Sequence, residues 1–341
     1  MKRFLFALAL LAPVHAALAE EAPGLIAQEI AAPHHGRKMD LAVWYPAEGG
    51  TEVLFAENPV FKGGLVREGA RPRAGKHPVV LLSHGMGGSF LSLNWLATGL
   101  VSQGAVVVAV NHPNGNFRDR RPDKMFDHWT RAQDLKVALD HVLADEALSA
   151  AVDPSRIYAA GFSFGGWTVL SLAGVTGKPE GSVAYCAAAG ERSHTCTDLK
   201  TFGFDLAKLD RTMWTASYKD ERIRAVAAID PGLTWELSRE DVRGVDQYKL
   251  LLIGLGTGED RLYATDTSSE GSGFEALVPD AKVKLLAPAN HFTAMPLCKP
   301  EGEALLAGEK DDPVCTDPAG GNRQAVHDEI IALIAGHFGL K

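Results

Sequence analysis

Beyond its first residues the chain has no apolar run long enough to cross a bilayer, for which about 20 consecutive residues are needed, so the body of the protein is expected to hold no transmembrane helix. It has no surplus of positive charge. Lys and Arg number 34 against 42 Asp and Glu, a formal net charge of −8, and this disfavours nucleic acid and anionic membrane surfaces as partners. No internal repeat and no low-complexity tract interrupts it, so no array architecture is indicated. Cysteine is scarce: Cys186, Cys196, Cys298 and Cys315 are the only four. Neither neighbouring pair has the C-x₂₋₄-C spacing of a zinc site, which weighs against that use of them. None lies near the N-terminus, which removes lipid anchoring through an N-terminal cysteine.

What stands at the N-terminus is Met1-Lys2-Arg3, then the apolar run Phe4 to Ala12, then Ala17-Leu18-Ala19. A basic segment, a short apolar segment and an A-x-A site form a secretory leader. Residues 1–19 are therefore set apart from the fold, and the mature chain is expected to begin near Glu20 as a periplasmic or secreted protein. In an oxidising compartment an even number of cysteines implies disulfides. Of the three possible connectivities, Cys186–Cys196 with Cys298–Cys315 is the simplest. The remaining length suits one large α/β domain, residues 20–341, and 46% hydrophobic content is ordinary for a globular protein.

The most informative stretch is Gly161-Phe162-Ser163-Phe164-Gly165. Arg156 to Ala160 before it reads as a buried strand, and Gly166 to Ala173 after it reads as a helix. A G-x-S-x-G between strand and helix is the setting of a nucleophile elbow, with the serine hydroxyl presented at the C-terminal edge of a parallel sheet. Upstream, Pro78 to Ser83 is a continuous apolar run, consistent with a strand buried on both faces. It runs into His84-Gly85-Met86-Gly87-Gly88, an H-G-x-G pattern whose backbone N–H groups can turn toward a substrate oxygen. His84 is read as a prop for that loop, because the catalytic base follows the nucleophile in this chain order.

Around these motifs strand-like and helix-like segments alternate. Leu25 to Ala32 and Met39 to Tyr45 are strands joined at His34-His35-Gly36-Arg37. Paired histidines suggest a metal, but nothing nearby in sequence offers further ligands, so an exposed hairpin turn is expected. Pro46 to Lys76 reads as a long loop with room for short strands. Asn94 to Gln103 and Phe126 to Leu143 read as helices, separated by the strand Ala105 to Val110. His112, at the end of that strand, is placed either in the pocket or in a loop satisfied by backbone. Ile223 to Ile229, Tyr248 to Leu255 and Lys282 to Leu286 are further strands, and Gln324 to Phe338 is a closing helix. The alternation argues for a mostly parallel sheet with helices on both faces. Residues 178–222 break it and read as an insertion after the elbow helix, either a cap or surface decoration tied down by a disulfide.

A serine hydroxyl needs a base in contact and a third group to orient that base. His291, after the last strand, fits the base. Two carboxylates satisfy the order Ser, Asp, His. Asp230 follows directly on a strand and precedes Pro231, whereas Asp260 lies several residues past its strand in a polar loop. Asp230 is the favoured acid. The N–H groups of Met86 and Phe164 would hold the tetrahedral oxyanion.

Taken together, Ser83 to Gly88, Gly161 to Gly166, Asp230 and His291-Phe292 resemble the platelet-activating-factor acetylhydrolase and dienelactone-hydrolase-like group of α/β-hydrolases. The strand Leu41-Ala42-Val43-Trp44-Tyr45-Pro46 resembles the W-Y-P strand of that group. The likeness covers most of residues 25–338. It implies an α/β-hydrolase fold, an acid at Asp230, oxyanion donors at Met86 and Phe164, and hydrolysis of a small or lipid-like carboxylic ester, with neither metal nor organic cofactor. True dienelactone hydrolases use Cys where this chain has Ser163, which argues against that particular activity. A serine peptidase or acyltransferase would use the same triad. A non-catalytic binding protein on this fold would normally lack the nucleophile, the base or an elbow glycine, and all are present.

Overall fold

The computed structural model describes residues 21–190, 193, 196–197, 205–206, 209–309 and 312–341. The expected leader, residues 1–19, lies outside the described residues, as does Glu20. A ten-stranded sheet organises the rest. Its strands are β1 (Gly24–Ala32), β2 (Arg37–Tyr45), β3 (Thr51–Phe55), β4 (Gly64–Glu68), β5 (His77–Ser83), β6 (Val106–Val110), β7 (Val152–Phe162), β8 (Ile223–Ile229), β9 (Leu250–Leu255) and β10 (Lys282–Leu286). They lie in the order β10-β9-β8-β7-β5-β6-β2-β1-β4-β3. From β10 to β6 every pairing is parallel. At β2 the direction reverses, and the N-terminal strands extend the sheet as an edge with antiparallel hairpins.

The apolar residues explain the layers. Side chains alternate faces along a strand. Leu41 and Val43, Val79 and Leu81, and Val106, Val108 and Val110 fall on one face. There they meet Ala132, Leu135 and Leu139 of α2 (His128–Ala144) and Trp167 and Leu170 of α3 (Phe164–Ala173). Their neighbours Ala42 and Trp44, Val80 and Leu82, and Val107 and Ala109 fall on the other. That face is covered by Leu96 and Leu100 of α1 (Asn94–Ser102) and by Ile330, Ile334 and Phe338 of α5 (Arg323–Phe338). The continuous apolar runs of the central strands are thus two interleaved sets, one per layer.

Parallel register brings the strand ends to a common line. Ser83 pairs with Gly161, Phe162 with Ile229, Ile229 with Ile253, and Leu255 with Leu286. The residues that follow each strand therefore share one edge, where ligand crevices of open α/β sheets form.

Three expectations change in detail. The stretch Pro46–Lys76 carries β3 and β4, an antiparallel hairpin that lengthens the sheet. The strand read from Tyr248 begins at Leu250, after a 3₁₀ turn at Gln247–Lys249. The turn Pro33–His35 is not an exposed one: both histidines are half-buried and bonded to a distant helix. Within residues 178–222 the described residues include α4 (Pro179–Ala189) and a short helix Arg211–Thr215. Tyr185 of α4 packs against Trp235 and Tyr263, at ring-centroid distances of 5.6 and 6.1 Å.

Both local disulfides are formed, Cys186–Cys196 and Cys298–Cys315, with Cα–Cα distances of 5.6 and 5.8 Å. Each closes a short loop, worth roughly 3 kcal/mol on the chain-entropy account. Non-reducing peptide mapping is expected to recover both crosslinked pairs and no free thiol. Recovery of other pairings would show that the insertion is tied down differently.

Candidate active site

Ser163 sits at the end of β7 with φ 57° and ψ −119°, a sparsely populated region for a residue with a side chain. Its N–H donates to Ile229 O at 2.8 Å, and its carbonyl accepts from Trp167 N–H at 3.2 Å. The turn closes only because its flanks lack side chains. A Cβ at Gly161 would lie 2.2 Å from Gly165 O, and one at Gly165 would lie 1.9 Å from Ser83 O. Strand and helix then pass close enough to leave the Ser163 side chain as the projecting group.

His291 opens a 3₁₀ turn, His291–Ala294, capped reciprocally by Asn290 and Thr293. Its Nε2 is 3.1 Å from Ser163 Oγ and its Nδ1 is 2.6 Å from Asp230 Oδ2. Asp230 leaves β8 at φ 47° and is fully buried. A buried carboxylate is tolerated only when its oxygens are satisfied, and here each takes two donors. Oδ2 accepts from His291 and from Thr265 Oγ1 at 2.6 Å. Oδ1 accepts from Leu255 N–H at 3.0 Å and from Arg261 Nη1 at 2.9 Å. The Asp230 carboxylate is therefore held on both sides and presents one fixed lone pair to the His291 imidazole. Asp260, the alternative acid, is exposed on the 3₁₀ turn Gly258–Asp260. Arg261 and Thr265 were not anticipated. The signal available was Arg261 beside Asp260, a cation in a loop that otherwise reads as solvated.

The loop after β5 lies against Ser163, since a Cβ at Gly85 would meet Ser163 Cβ at 3.2 Å. Among the described backbone hydrogen bonds none uses the N–H of Met86 or of Phe164. The loop is pinned on its far side by Gly87 N–H to Gly115 O, 2.9 Å, and Phe117 N–H to Gly88 O, 3.0 Å. His84 props it, as read from sequence: Nδ1–H donates to Gly85 O at 2.7 Å, and Nε2 accepts from His112 N–H at 3.1 Å. Burial, with Arg131 and His112 close by, lowers the His84 pKa well below the ordinary value, which keeps the ring neutral in that tautomer.

Behind the loop lies a buried polar chain that resembles the Ser163–His291–Asp230 chain. Ser83 Oγ is 2.9 Å from His112 Nε2, and His112 Nδ1 is 2.8 Å from Asp134 Oδ2. All three residues have 0% exposure, so no substrate reaches this serine. His112 is neither a pocket wall nor a backbone-satisfied loop residue. Burial, together with Arg131, lowers its pKa to about 4. Arg131 donates to His84 O and, at 3.1 Å, to Thr168 Oγ1 on α3, and its guanidinium lies 4.6 Å from the Phe164 ring centroid. One buried cation thus ties the loop before Met86 to the helix that begins with Phe164. Its signal in the sequence was a charge on the apolar side of a helix, at Arg131 and Asp134 beside Ala132 and Leu135.

Residues 79–297 match the profile described as the alpha/beta hydrolase family. Lipase 1 of Moraxella sp. (strain TA144) is 38% identical over 82 residues, which span 24% of this chain and 23% of that one. A ferulic acid esterase from Streptomyces cinnamoneus shares the fold, with a TM-score of 0.57 and 18% identity, over 95% of this chain and 91% of its own. A dienelactone hydrolase from Anabaena variabilis superposes with a TM-score of 0.45 and 14% identity, over 85% and 96% of the two chains. The family match runs from β5 through the elbow to the loop that carries His291 and takes in more than half of the residues, so the chain belongs to the alpha/beta hydrolase family.

Proposed function

We propose that this protein is an exported serine hydrolase that cleaves carboxylic esters, with short-chain acyl esters as its substrate class. The observation that supports this most directly is the chain Ser163 Oγ, His291, Asp230, joined at 3.1 and 2.6 Å on an elbow whose serine is accessible. Ser163 Oγ attacks the ester carbonyl while its proton passes to His291 Nε2. The carbonyl oxygen becomes an oxyanion and accepts from the N–H groups of Met86 and Phe164. His291 then returns the proton to the departing alkoxide, and the alcohol leaves an acyl-enzyme on Ser163. Water, deprotonated by His291, attacks that acyl group and releases the acid with the proton returned to Ser163. Asp230 stays ionised throughout and holds the imidazole in one tautomer. No step calls on a cofactor.

The short stretch shared with a lipase, and the fold shared with a ferulic acid esterase, agree with ester cleavage. Export accords with two disulfides, which persist in oxidising compartments. Helix α4, within the expected insertion 178–222, would serve as a cover for the site, since its Tyr185 packs on Trp235, in the loop that follows Asp230. A fluorophosphonate probe is expected to label Ser163, and p-nitrophenyl acetate and butyrate are expected to turn over faster than longer acyl chains and faster than the matching anilides. Absence of both labelling and ester turnover in the folded protein would overturn the reading, and faster cleavage of anilides would move it to a peptidase.

A further inference from the structure

The turn between β1 and β2 places two imidazoles on one buried carboxylate. His34 Nε2 is 2.7 Å and His35 Nε2 is 2.9 Å from the same oxygen, Asp134 Oδ1. The sequence separates these groups by about a hundred residues, which is why His34 and His35 looked ligand-poor. Their ligand atoms all lie within 4.8 Å of one another. We propose that His34, His35 and Asp134 form a binding site for a divalent transition-metal ion of the zinc class, with water in a fourth position on the side of His34.

Four features carry this. The donor set is two imidazole nitrogens and one carboxylate oxygen, which suits zinc, cobalt or nickel rather than calcium or magnesium. The turn is set by its own chemistry, with Pro33 at its start and Gly36 closing it in the left-handed conformation at φ 64°. The carboxylate is oriented from behind, because Asp134 Oδ2 is held by His112 Nδ1–H and His112 is in turn held by Ser83. Metal-ligating carboxylates usually have such outer partners. Access is graded: the side chains of His34, His35 and Asp134 are 16%, 4% and 0% exposed, so the site opens past His34 alone.

The size fits. Ligand bonds of about 2.1 Å in a tetrahedral arrangement put neighbouring ligand atoms roughly 3.4 Å apart, so the two imidazoles would withdraw from Asp134 by about half an ångström. The His34 side chain, 16% exposed, lies at the mouth of the site. Each imidazole ligates through Nε2 as the neutral Nδ1–H tautomer, and Asp134 ligates as the carboxylate. Two other charged groups face the site. Arg131 lies one turn back on α2, but its described hydrogen bonds go to Ser83, His84 and Thr168 and none to Asp134. Asp127 makes no side-chain cap to the helix and interacts electrostatically with His35, while burial pushes its carboxyl up to about 6. An ion here would fasten the β1–β2 hairpin to α2.

The test uses the untagged full chain, stripped with a chelator and dialysed. Titration with Co2+ is expected to give a saturable visible absorption of a low-coordinate ion at one equivalent, displaced by Zn2+. Saturating Zn2+ is expected to raise the melting temperature by roughly 5 °C. Glutamine keeps an N–H donor for Asp134, so His34→Gln and His35→Gln should fold and should each weaken Co2+ binding at least ~10-fold. The double variant should lose the spectrum and the thermal shift, while His141→Gln, a histidine outside the site, should keep both. No saturable spectrum in the wild type, or an unchanged spectrum in the double variant, would overturn the site. The spectrum of the wild type needs no variant to fold, and none of these readouts depends on Ser163.

Discussion

Ser163→Ala is expected to lower ester turnover at least ~10⁴-fold with the fold unchanged, because the members of a triad act as a unit and removing the nucleophile removes the covalent route. The structure separates this loss from a folding defect. The described side-chain hydrogen bond of Ser163 is the one to His291, and the backbone bonds that fix the elbow, to Ile229 and from Trp167, do not involve the hydroxyl. Alanine keeps the same Cβ, so the steric demands at φ 57° are those already met. The variant should match the wild type in circular dichroism and thermal midpoint. It should also lose fluorophosphonate labelling completely. That readout matters because the chain holds a second Ser-His-Asp series at Ser83, His112 and Asp134 with comparable distances. Geometry alone does not tell the two apart; access does, since Ser83 is fully buried and Ser163 is not. A labelled peptide containing Ser83, or normal turnover by Ser163→Ala, would refute the assignment.

Much of the arrangement was legible because the chemistry demands local patterns. The elbow needs glycine on both sides of its serine, and the reason is the 1.9 and 2.2 Å approaches that a side chain would make. The central strands announce themselves as unbroken apolar runs because both faces are covered. What stayed hidden was assembled from distant pieces. Nothing in His34-His35 predicts a partner at Asp134, because α2 announces itself through its apolar positions and Asp134 interrupts them. Likewise Thr265 and Arg261 reach Asp230 from a stretch that looks solvated by composition. Buried polar networks follow from the fold, since each group must find a donor or acceptor once the layers have closed. Short strands were allowed for in Pro46–Lys76, but the extent and pairing of β3 and β4 were obscured for a different reason. They form the sheet's edge, and residues such as Leu54 and Leu65, 55% and 51% exposed, lack a clear inside and outside.

The identity of the proposed triad acid gives the second large effect. Asp230→Asn is expected to reduce turnover by about 10⁴-fold, the cost of leaving a triad histidine in the wrong tautomer, whereas Asp260→Asn should change it little. The contrast follows from hydrogen-bond capacity. The ionised Asp230 accepts four bonds and donates none, from His291, Thr265, Leu255 and Arg261. An asparagine there supplies one acceptor oxygen and an NH₂ group. With Leu255 N–H and Arg261 on one side, the carbonyl oxygen is drawn to that side, and the NH₂ turns toward His291 Nδ1. The imidazole must then accept at Nδ1 and carry its proton on Nε2, where it cannot take the proton of Ser163. Asp260 is exposed, and its carboxylate has no described bond to His291. Thermal melts should show both variants folded, with Asp230→Asn less stable because a buried network has lost a charge. The pH–rate profile adds a check that a packing defect would not mimic. If the tautomer is the cause, alkaline conditions should recover part of the Asp230→Asn activity through hydroxide-assisted removal of the serine proton, while the Asp260→Asn profile should follow the wild type. A large loss confined to Asp260→Asn would transfer the role and leave the buried cluster around Asp230 with a purely structural task.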